Sequence, residues 1–250
     1  LHRKSPDGKN RIQIIAATRY GKSLAVAAGV VIRASLKPEK WAIVAGTKEK
    51  ARIIMEYITM FSLDCPVIRV QLEVEIPLDR LRMKRGQDRL TYRRRGEVRV
   101  YSADSRRIAE TSTSLMGFGA PNVVGDESAL IADPLQATLM RMLGDKKDNF
   151  LVKIGNPFRR NHFLRTWRND RYYKIFIDYK QGIREGRFSE EFIDEMRDEA
   201  LFDILWECKF PEEGAIDSKG WLILLTDVDI ERAFVEEVPF GEKRLGCDIA

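Results

Sequence analysis

The residues of this chain best equipped for chemistry are a lysine and serine at the mouth of an apolar run, Lys22 and Ser23, and an adjacent pair of carboxylates about a hundred residues later, Asp126 and Glu127. In "IIAATRYGKSLAVAAGVVI", Ile14 to Ile32, a polar turn of Ala17 to Gly21 joins an apolar run to an Ala-rich one. Ile12 to Ala16 reads as a buried strand and Ser23 to Ser35 as a buried helix. The first amides of a helix have no intrahelical partner and sit at its positive dipole end, so a loop entering one can wrap a phosphate chain in N–H donors. Gly21 can take backbone angles that a side chain forbids, Lys22 can reach the β- and γ-phosphates of a nucleotide, and Ser23 can offer its hydroxyl to Mg²⁺. The stretch Ala16-Ala17-Thr18-Arg19-Tyr20-Gly21-Lys22-Ser23 fits G-x-x-x-x-G-K-[ST], with Ala in place of the first glycine.

"VVGDESALI" supplies the other half of such a site. A strand from Asn122 to Gly125 would deliver Asp126 to the carboxyl edge of a parallel sheet, where open α/β folds bind ligands. There the Asp126 carboxylate can hold Mg²⁺ through its water shell, opposite Ser23, and Glu127 can orient or deprotonate a water facing the γ-phosphate. The separation from the phosphate loop leaves room for an intervening strand and helix. With the adjacent glutamate, it fits the additional-strand, catalytic-glutamate class of P-loop ATPases, which are RecA-like, rather than the small GTPases. In "VKIGNPF", Phe150 to Ile154 reads as a strand that should neighbour the other two. Asn156 at its end could touch the γ-phosphate or the attacking water, or Gly155-Asn156-Pro157 could be a turn and nothing more.

The elements that must position these residues follow from pattern. Trp41 to Ala45 reads as a short buried strand and Thr47 to Phe61 as an amphipathic helix; further strands are expected at Val67 to Leu72, Arg89 to Arg93 and Val98 to Ser102, and a helix near Pro134 to Leu143. Alternating short apolar strands and helices predict an α/β fold, a mainly parallel sheet with helices on both faces. Within Arg80 to Arg99 nine basic residues face two acids, and Gly96 sits between two alternating runs that read as a hairpin. Its basic face is either solvated or a contact for DNA or another subunit. "FRRNHFLRTWRNDR", Phe158 to Arg171, is basic with interleaved aromatics; it either faces DNA or contributes its aromatics to a core. The pattern changes beyond about Asp203, which places an ATPase domain at 1–205, a linker subdomain at 206–240 and the start of something larger at 241–250.

A chain of 250 residues with 44% hydrophobic content can bury one large core or a core plus an appendage. A net charge of +5 and a pI near 9.1 suit a polyanionic partner. No run of eighteen apolar residues and no charged-then-apolar leader occur, so the expectation is a soluble, unexported protein with no membrane partner. Cys65, Cys208 and Cys247 are odd in number and far apart, which argues against a disulfide framework or zinc site, and His2 and His162 are too few for a histidine metal centre. The chain begins with Leu rather than Met and reads as a fragment or processed product.

Together these motifs resemble the large terminase subunit of tailed bacteriophages, the motor that drives double-stranded DNA into a procapsid. The resemblance runs through most of the chain: "AATRYGKS" as phosphate loop, "VVGDESALI" as acidic strand, "IGNP" as coupling motif and "ECKFPEE" as the segment leaving the ATPase core. "LGCDIA" resembles the opening strand of the family's RNase H-like nuclease, with Asp248 at its first metal-binding aspartate. The other nuclease acids would lie past Ala250, so no cleavage activity is expected. The resemblance implies an ATP- and Mg²⁺-dependent motor in which Ala17, Thr18, Arg19, Tyr20, Gly21, Lys22, Ser23 and Asn156 bind ATP. Ser23 and Asp126 would hold the metal, and Glu127, Lys22 and Arg19 would act in catalysis. Arg19 stands three residues before Lys22, where many members place the loop arginine four before. Arg106 and Arg107 lie where a trans-acting arginine finger could be presented, or are exposed loop arginines. Implied partners are double-stranded DNA, a portal protein, a small terminase subunit and further copies in a ring, and the implied location is the cytoplasm of an infected bacterium. The rival expectations are a helicase-like motor of the same class and a nucleotide-gated DNA-binding or assembly protein with little turnover.

Overall fold

The computed structural model describes residues 6–74, 76–83, 87–104, 108–144 and 148–212. Its frame is one seven-stranded sheet of β1 (Arg11–Ala16), β2 (Lys40–Ala45), β3 (Arg89–Thr91), β4 (Glu97–Ser102), β5 (Asn122–Gly125), β6 (Leu151–Gly155) and β7 (Tyr173–Ile177). The strands lie in the order β3-β4-β2-β5-β6-β1-β7. Only β3 runs antiparallel to its neighbour; every other pairing is parallel. The carboxyl ends of β1, β6, β5 and β2 therefore emerge side by side on one edge, the edge at which open parallel sheets bind ligands. β6 stands between β1 and β5, with Ile14 opposite Ile154 and Gly125 opposite Lys153. This is the additional-strand, P-loop α/β arrangement expected from the spacing of the motifs.

β5 and β6 are buried along their whole length, as strands covered on both faces must be. Helices α1 (Lys22–Leu36) and α2 (Lys48–Asp64) pack on one face, over Val30, Ile43, Ile54, Ile58, Val124 and Val152. On the other face lie α5 (Ile108–Phe118) and α6 (Asp133–Met142), with Val44, Val123, Leu135, Leu139 and Leu151 in the layer beneath. Each such side chain removed from water contributes about 1.5–3 kcal/mol. A third cluster joins Ile15 and Ala17 to four short helices, α7 (His162–Trp167), α8 (Tyr179–Arg184), α9 (Glu190–Arg197) and α10 (Phe202–Leu205), through Phe163, Tyr179, Ile193 and Trp206. It fixes the root of the phosphate loop.

The hairpin expected around Gly96 is present as β3 and β4, though β3 ends at Thr91. Because β4 runs parallel to β2, the Arg93-Arg94-Arg95 turn lies at the amino edge of the sheet, opposite the Asp126 edge. Gly96 is required there, since a Cβ would stand 1.7 Å from the carbonyl oxygen of Ala34 at the end of α1. Arg89 and Arg99 both pair with Glu97, so part of the basic run neutralises itself.

The strand expected at Val67 to Leu72 is instead α3 (Pro66–Arg69), followed by a single bridge from Leu72 to Tyr92. Pro66 presets the first helical φ, and Val67 and Val70 are 70% and 61% exposed, so the β-branched run has no sheet to join. The aromatics of Phe158 to Arg171 go to the core, where Phe163 is fully buried and Phe158 and Trp167 pack beside it. The short helix α4 (Leu78–Met83), α5, and β7 were not foreseen. The sheet and its helices fall in one unit, Leu1–Pro211, and Trp206 and Cys208 are buried in the third cluster. The rest of the expected linker, the nuclease-like opening with Asp248, and the Arg106-Arg107 pair all lie outside the described residues.

Candidate functional site

The phosphate loop is built from β1 by two left-handed residues. Arg19 has φ 61° and Gly21, the N-cap of α1, has φ 100°. Glycine meets the second at no steric cost, and a Cβ there would also come 3.2 Å from Arg187 Nη2. Internal hydrogen bonds brace the loop: Ala17 N–H donates to Ile177 O at 2.8 Å, Thr18 N–H to Leu205 O at 2.9 Å and Arg187 Nη2 to Tyr20 O at 3.1 Å. The Tyr20 hydroxyl bonds Glu185. The amides at the start of α1, by the geometry of any helix start, are left for a ligand.

A cavity of about 610 Å³ opens at this edge of the sheet, a size suited to a small-molecule ligand. It is lined by Thr18, Arg19, Gly21, Lys22 and Ser23 of the loop, by Asp126, Glu127 and Asn156 from the two neighbouring strand ends, and by Lys50, Ile53 and Tyr57 of α2. Phe158 and Leu205 complete one side. Of the residues expected at a nucleotide site, Ala17 and Tyr20 do not line it: Ala17 is buried in the core and Tyr20 turns toward Glu185 and Phe188.

Lys22 spends its ammonium on neutral acceptors, Ala16 O at 2.8 Å, Asn156 Oδ1 at 3.1 Å and Ala17 O at 3.3 Å. Burial lowers its pKa, against the opposing pull of Glu127, Cys208 and Asp126. Asp126 is 6% exposed. Burial and the adjacent Glu127 charge push its carboxyl up to about 7, while the Glu127 amide, donating to Asp126 Oδ1 at 3.0 Å, and the lysines Lys22 and Lys50 pull it back. An apolar-walled site with two adjacent carboxylates is therefore short of cation.

Glu127 sits at φ 42°, ψ 47°, a left-handed conformation that costs a non-glycine residue about 1–2 kcal/mol. The bend starts a 3-10 turn, Ser128–Leu130, in which Leu130 N–H donates to Glu127 O. It also brings Glu127 against β6: a Cβ on Gly155 would lie 2.9 Å from Glu127 Cα and 3.0 Å from its Oε2. Gly155, which sequence reasoning took only as a strand breaker, is the residue that lets the two strand ends close on each other. Asn156 then ties the site together. Its amide N–H donates to Glu127 Oε2 at 3.4 Å, its Oδ1 accepts from Lys22, and its Nδ2 lies within 3.1–3.3 Å of Leu205 O, Ile204 O and Ala16 O. A residue that was either a ligand contact or a mere turn by sequence thus joins the lysine, the glutamate and the α10 segment.

Sequence reasoning missed the contribution of α2. The signal was available, because Lys50, Ile53 and Tyr57 recur at i, i+3 and i+7 opposite the buried stripe of Ala51, Ile54 and Ile58. It also missed a closed polar cluster behind β6, in which the fully buried Lys153 Nζ lies 2.8 Å from His162 Nδ1 and 3.4 Å from Thr166 Oγ1. Thr166 in turn donates to Gln13 Oε1 at 2.6 Å.

The donor set suits a hard cation held jointly with a substrate. The Ser23 hydroxyl and the Asp126 carboxylate are oxygen donors on facing walls of one cavity. No group of three or more metal-ligating His, Cys, Asp or Glu occurs among the described residues, as fits a magnesium ion that keeps water and phosphate oxygens as ligands. No helix among the described residues is long and apolar enough to cross a membrane.

No protein-family model matches the chain, and no curated protein matches its sequence. Solved structures do match its fold. The ATPase domain of the large terminase of Thermus phage P74-26 superposes with a TM-score of 0.60 at 20% identity, covering 81% of this chain and 89% of that one. A large terminase from another thermophilic bacteriophage, solved in complex with ADP, gives 0.61 at 13% identity over 82% of this chain and 50% of that one. The HK97 bacteriophage large terminase gives 0.61 at 14% identity over 85% and 49%. The chain thus has the fold of large terminase ATPase domains and spans about half the length of the latter two proteins.

Proposed function

We propose that this chain, which shares the fold of phage large terminase ATPase domains, is an ATP-hydrolysing motor domain that moves double-stranded DNA during genome packaging. The observation that carries the reading is the convergence of Lys22, Ser23, Asp126, Glu127 and Asn156, from three adjacent strand ends, on one cavity. Neither the fold nor the loop alone would support it.

In the proposed cycle the α1 amides and Lys22 bind the β- and γ-phosphates, and Lys22 exchanges neutral carbonyl partners for charged oxygens, which are stronger acceptors. Ser23 and Asp126 would hold Mg²⁺, which when bound neutralises charge on the phosphates. Glu127 orients the attacking water and accepts its proton, with its side chain held by the Asn156 amide. When Lys22 is drawn to phosphate, Asn156 Oδ1 loses its donor. The Asn156 bonds to Ile204 and Leu205 then offer a direct route from nucleotide state to the segment that leaves the sheet. DNA gripped through its phosphates would be held without sequence preference and with strong salt dependence. A portal, a small terminase subunit and a ring of copies are the proposed partners, in the cytoplasm of an infected host.

Phosphate release measured with and without duplex DNA, over a range of protein concentrations, tests the reading. DNA-stimulated turnover that rises per subunit with concentration is expected. Nucleotide binding without turnover would favour a gated assembly protein, and strand separation on a forked duplex would favour a helicase.

A further inference from the structure

A second lysine stands in the cavity with nothing to hold. Helix α2 opens with Thr47 as N-cap, its hydroxyl accepting from Lys50 N–H at 3.3 Å. Two of the cations that follow are committed elsewhere: Lys48 pairs with Asp88 at 2.6 Å and Arg52 with the same carboxylate at 2.8 Å. Residues 48 and 52 share one side of a helix, and residue 50, two steps of about 100° from each, points away from both. Lys50 accordingly lines the cavity beside Asp126 and Glu127, and its side chain has no ion pair or hydrogen bond among the described residues. Its field is felt there, since it opposes the upward shift of the Asp126 carboxyl.

Position across the sheet decides what Lys50 can meet. Walking from the phosphate loop, the strand ends present Lys22 after β1, Asn156 after β6, Asp126 and Glu127 after β5, then α2 after β2. A nucleotide whose β-phosphate is seated on the α1 amides can send only its terminal phosphate toward the acidic pair. The α- and β-phosphates stay on the Lys22 side, and the base lies farther still. Ile53 and Tyr57, on the same stripe of α2, make the wall apolar around the ammonium, which strengthens a charge contact made there.

We propose that Lys50 engages the γ-phosphate of a bound nucleoside triphosphate and makes the site discriminate triphosphate from diphosphate. The inference rests on the reading of the cavity as a nucleotide site. It assigns to the α2 wall the sensing of the terminal phosphate, with Lys22 holding both nucleotide states.

Calorimetric titration of ATP-γ-S and of ADP, each with Mg²⁺, into the wild-type chain and into Lys50→Ala, Lys50→Arg and Lys22→Ala separates the possibilities. Lys50→Ala should weaken ATP-γ-S binding about tenfold and leave ADP within about twofold, as expected for one charge-assisted contact. Lys50→Arg should restore most of the ATP-γ-S affinity, and Lys22→Ala should weaken both nucleotides. Equal losses for the two nucleotides in Lys50→Ala, or no loss, would overturn the role of Lys50 while leaving the nucleotide site intact. Failure of the wild-type chain to bind either nucleotide would overturn the site itself and this inference with it.

Discussion

Lys22 and Lys153 belong to adjacent strands of one sheet, and both place an ammonium among uncharged partners, but their surroundings differ in one respect. The partners of Lys22 are two carbonyls and the Asn156 amide, all on the wall of an open cavity. Lys153 is sealed. The Ile131 carbonyl can only accept, so His162 donates to it through Nε2 and must accept from Lys153 through Nδ1. Burial and the neighbouring lysine hold the imidazole neutral, with its pKa down to about 3, and burial brings Lys153 down to about 7. One lysine is built to change partners, and the other completes a network that ties β1 and β6 to α7. The comparison teaches that residue type alone does not mark a site; what marks it is whether the partners can be replaced by a ligand.

The largest effect expected on the open cluster is that of Glu127→Gln. Turnover should fall by about 10²–10⁴-fold with ATP binding retained and the melting temperature unchanged. Unaltered phosphate release would remove Glu127 from the chemistry. For the closed cluster the sharpest probe is pH. A lysine whose folded pKa is about 7 and whose ordinary value is 10.5 binds fewer protons folded than unfolded between those values, so its burial penalty is complete below pH 7 and fades as pH rises. Between pH 7 and 8, above the ordinary titration of His162 and below that of Cys208, Lys153 should add up to about 1.4 kcal/mol of stability per pH unit. Chemical denaturation of Lys153→Met over that interval should lose this slope; a slope equal to that of the wild-type chain would mean that Lys153 is not titrating in the fold.

Gly155→Ala tests the junction between the two clusters. With φ 146° and Glu127 Cα 2.9 Å from the new methyl, it should destabilise the domain by about 1–3 kcal/mol and reduce turnover by displacing Glu127. A variant as stable and as active as the wild-type chain would show that the close approach is not needed. The smallest effect belongs to Arg187→Ala, which removes one exposed contact to the Tyr20 carbonyl. Stability should change by less than about 0.5 kcal/mol, and nucleotide affinity by no more than a few-fold. A larger loss of affinity would mean that Arg187 holds the loop in shape for phosphate.

The open cluster was legible in the sequence because its parts are local: a strand, a left-handed turn and a helix start put Gly21, Lys22 and Ser23 in order, and a buried strand ends in Asp126-Glu127. The neighbouring position of β6 followed from the spacing of those motifs. What was not legible depends on contacts between distant segments. The Lys153–His162 pair joins a strand to a helix whose packing no periodicity reveals, and Gly155 looks like any strand-ending glycine until Glu127 is placed against it. Val67 to Leu72 carries strand-forming residues but finds no strand to pair with, and tertiary context overrode propensity. The aromatics of Phe158 to Arg171 suited a DNA surface or a core, and only burial separated the two.

The insertion of β6 between β1 and β5 has a metric consequence. Parallel strands keep a nearly constant separation of about 4.8 Å, so the chain segments that end in the phosphate loop and in the acidic pair are held about 10 Å apart by two ladders of backbone hydrogen bonds. That width is set by the main chain and is indifferent to the side chains that line the gap. The strand acts as a gauge block: mutation can change what grips a ligand in this slot, but the opening itself stays one strand wide.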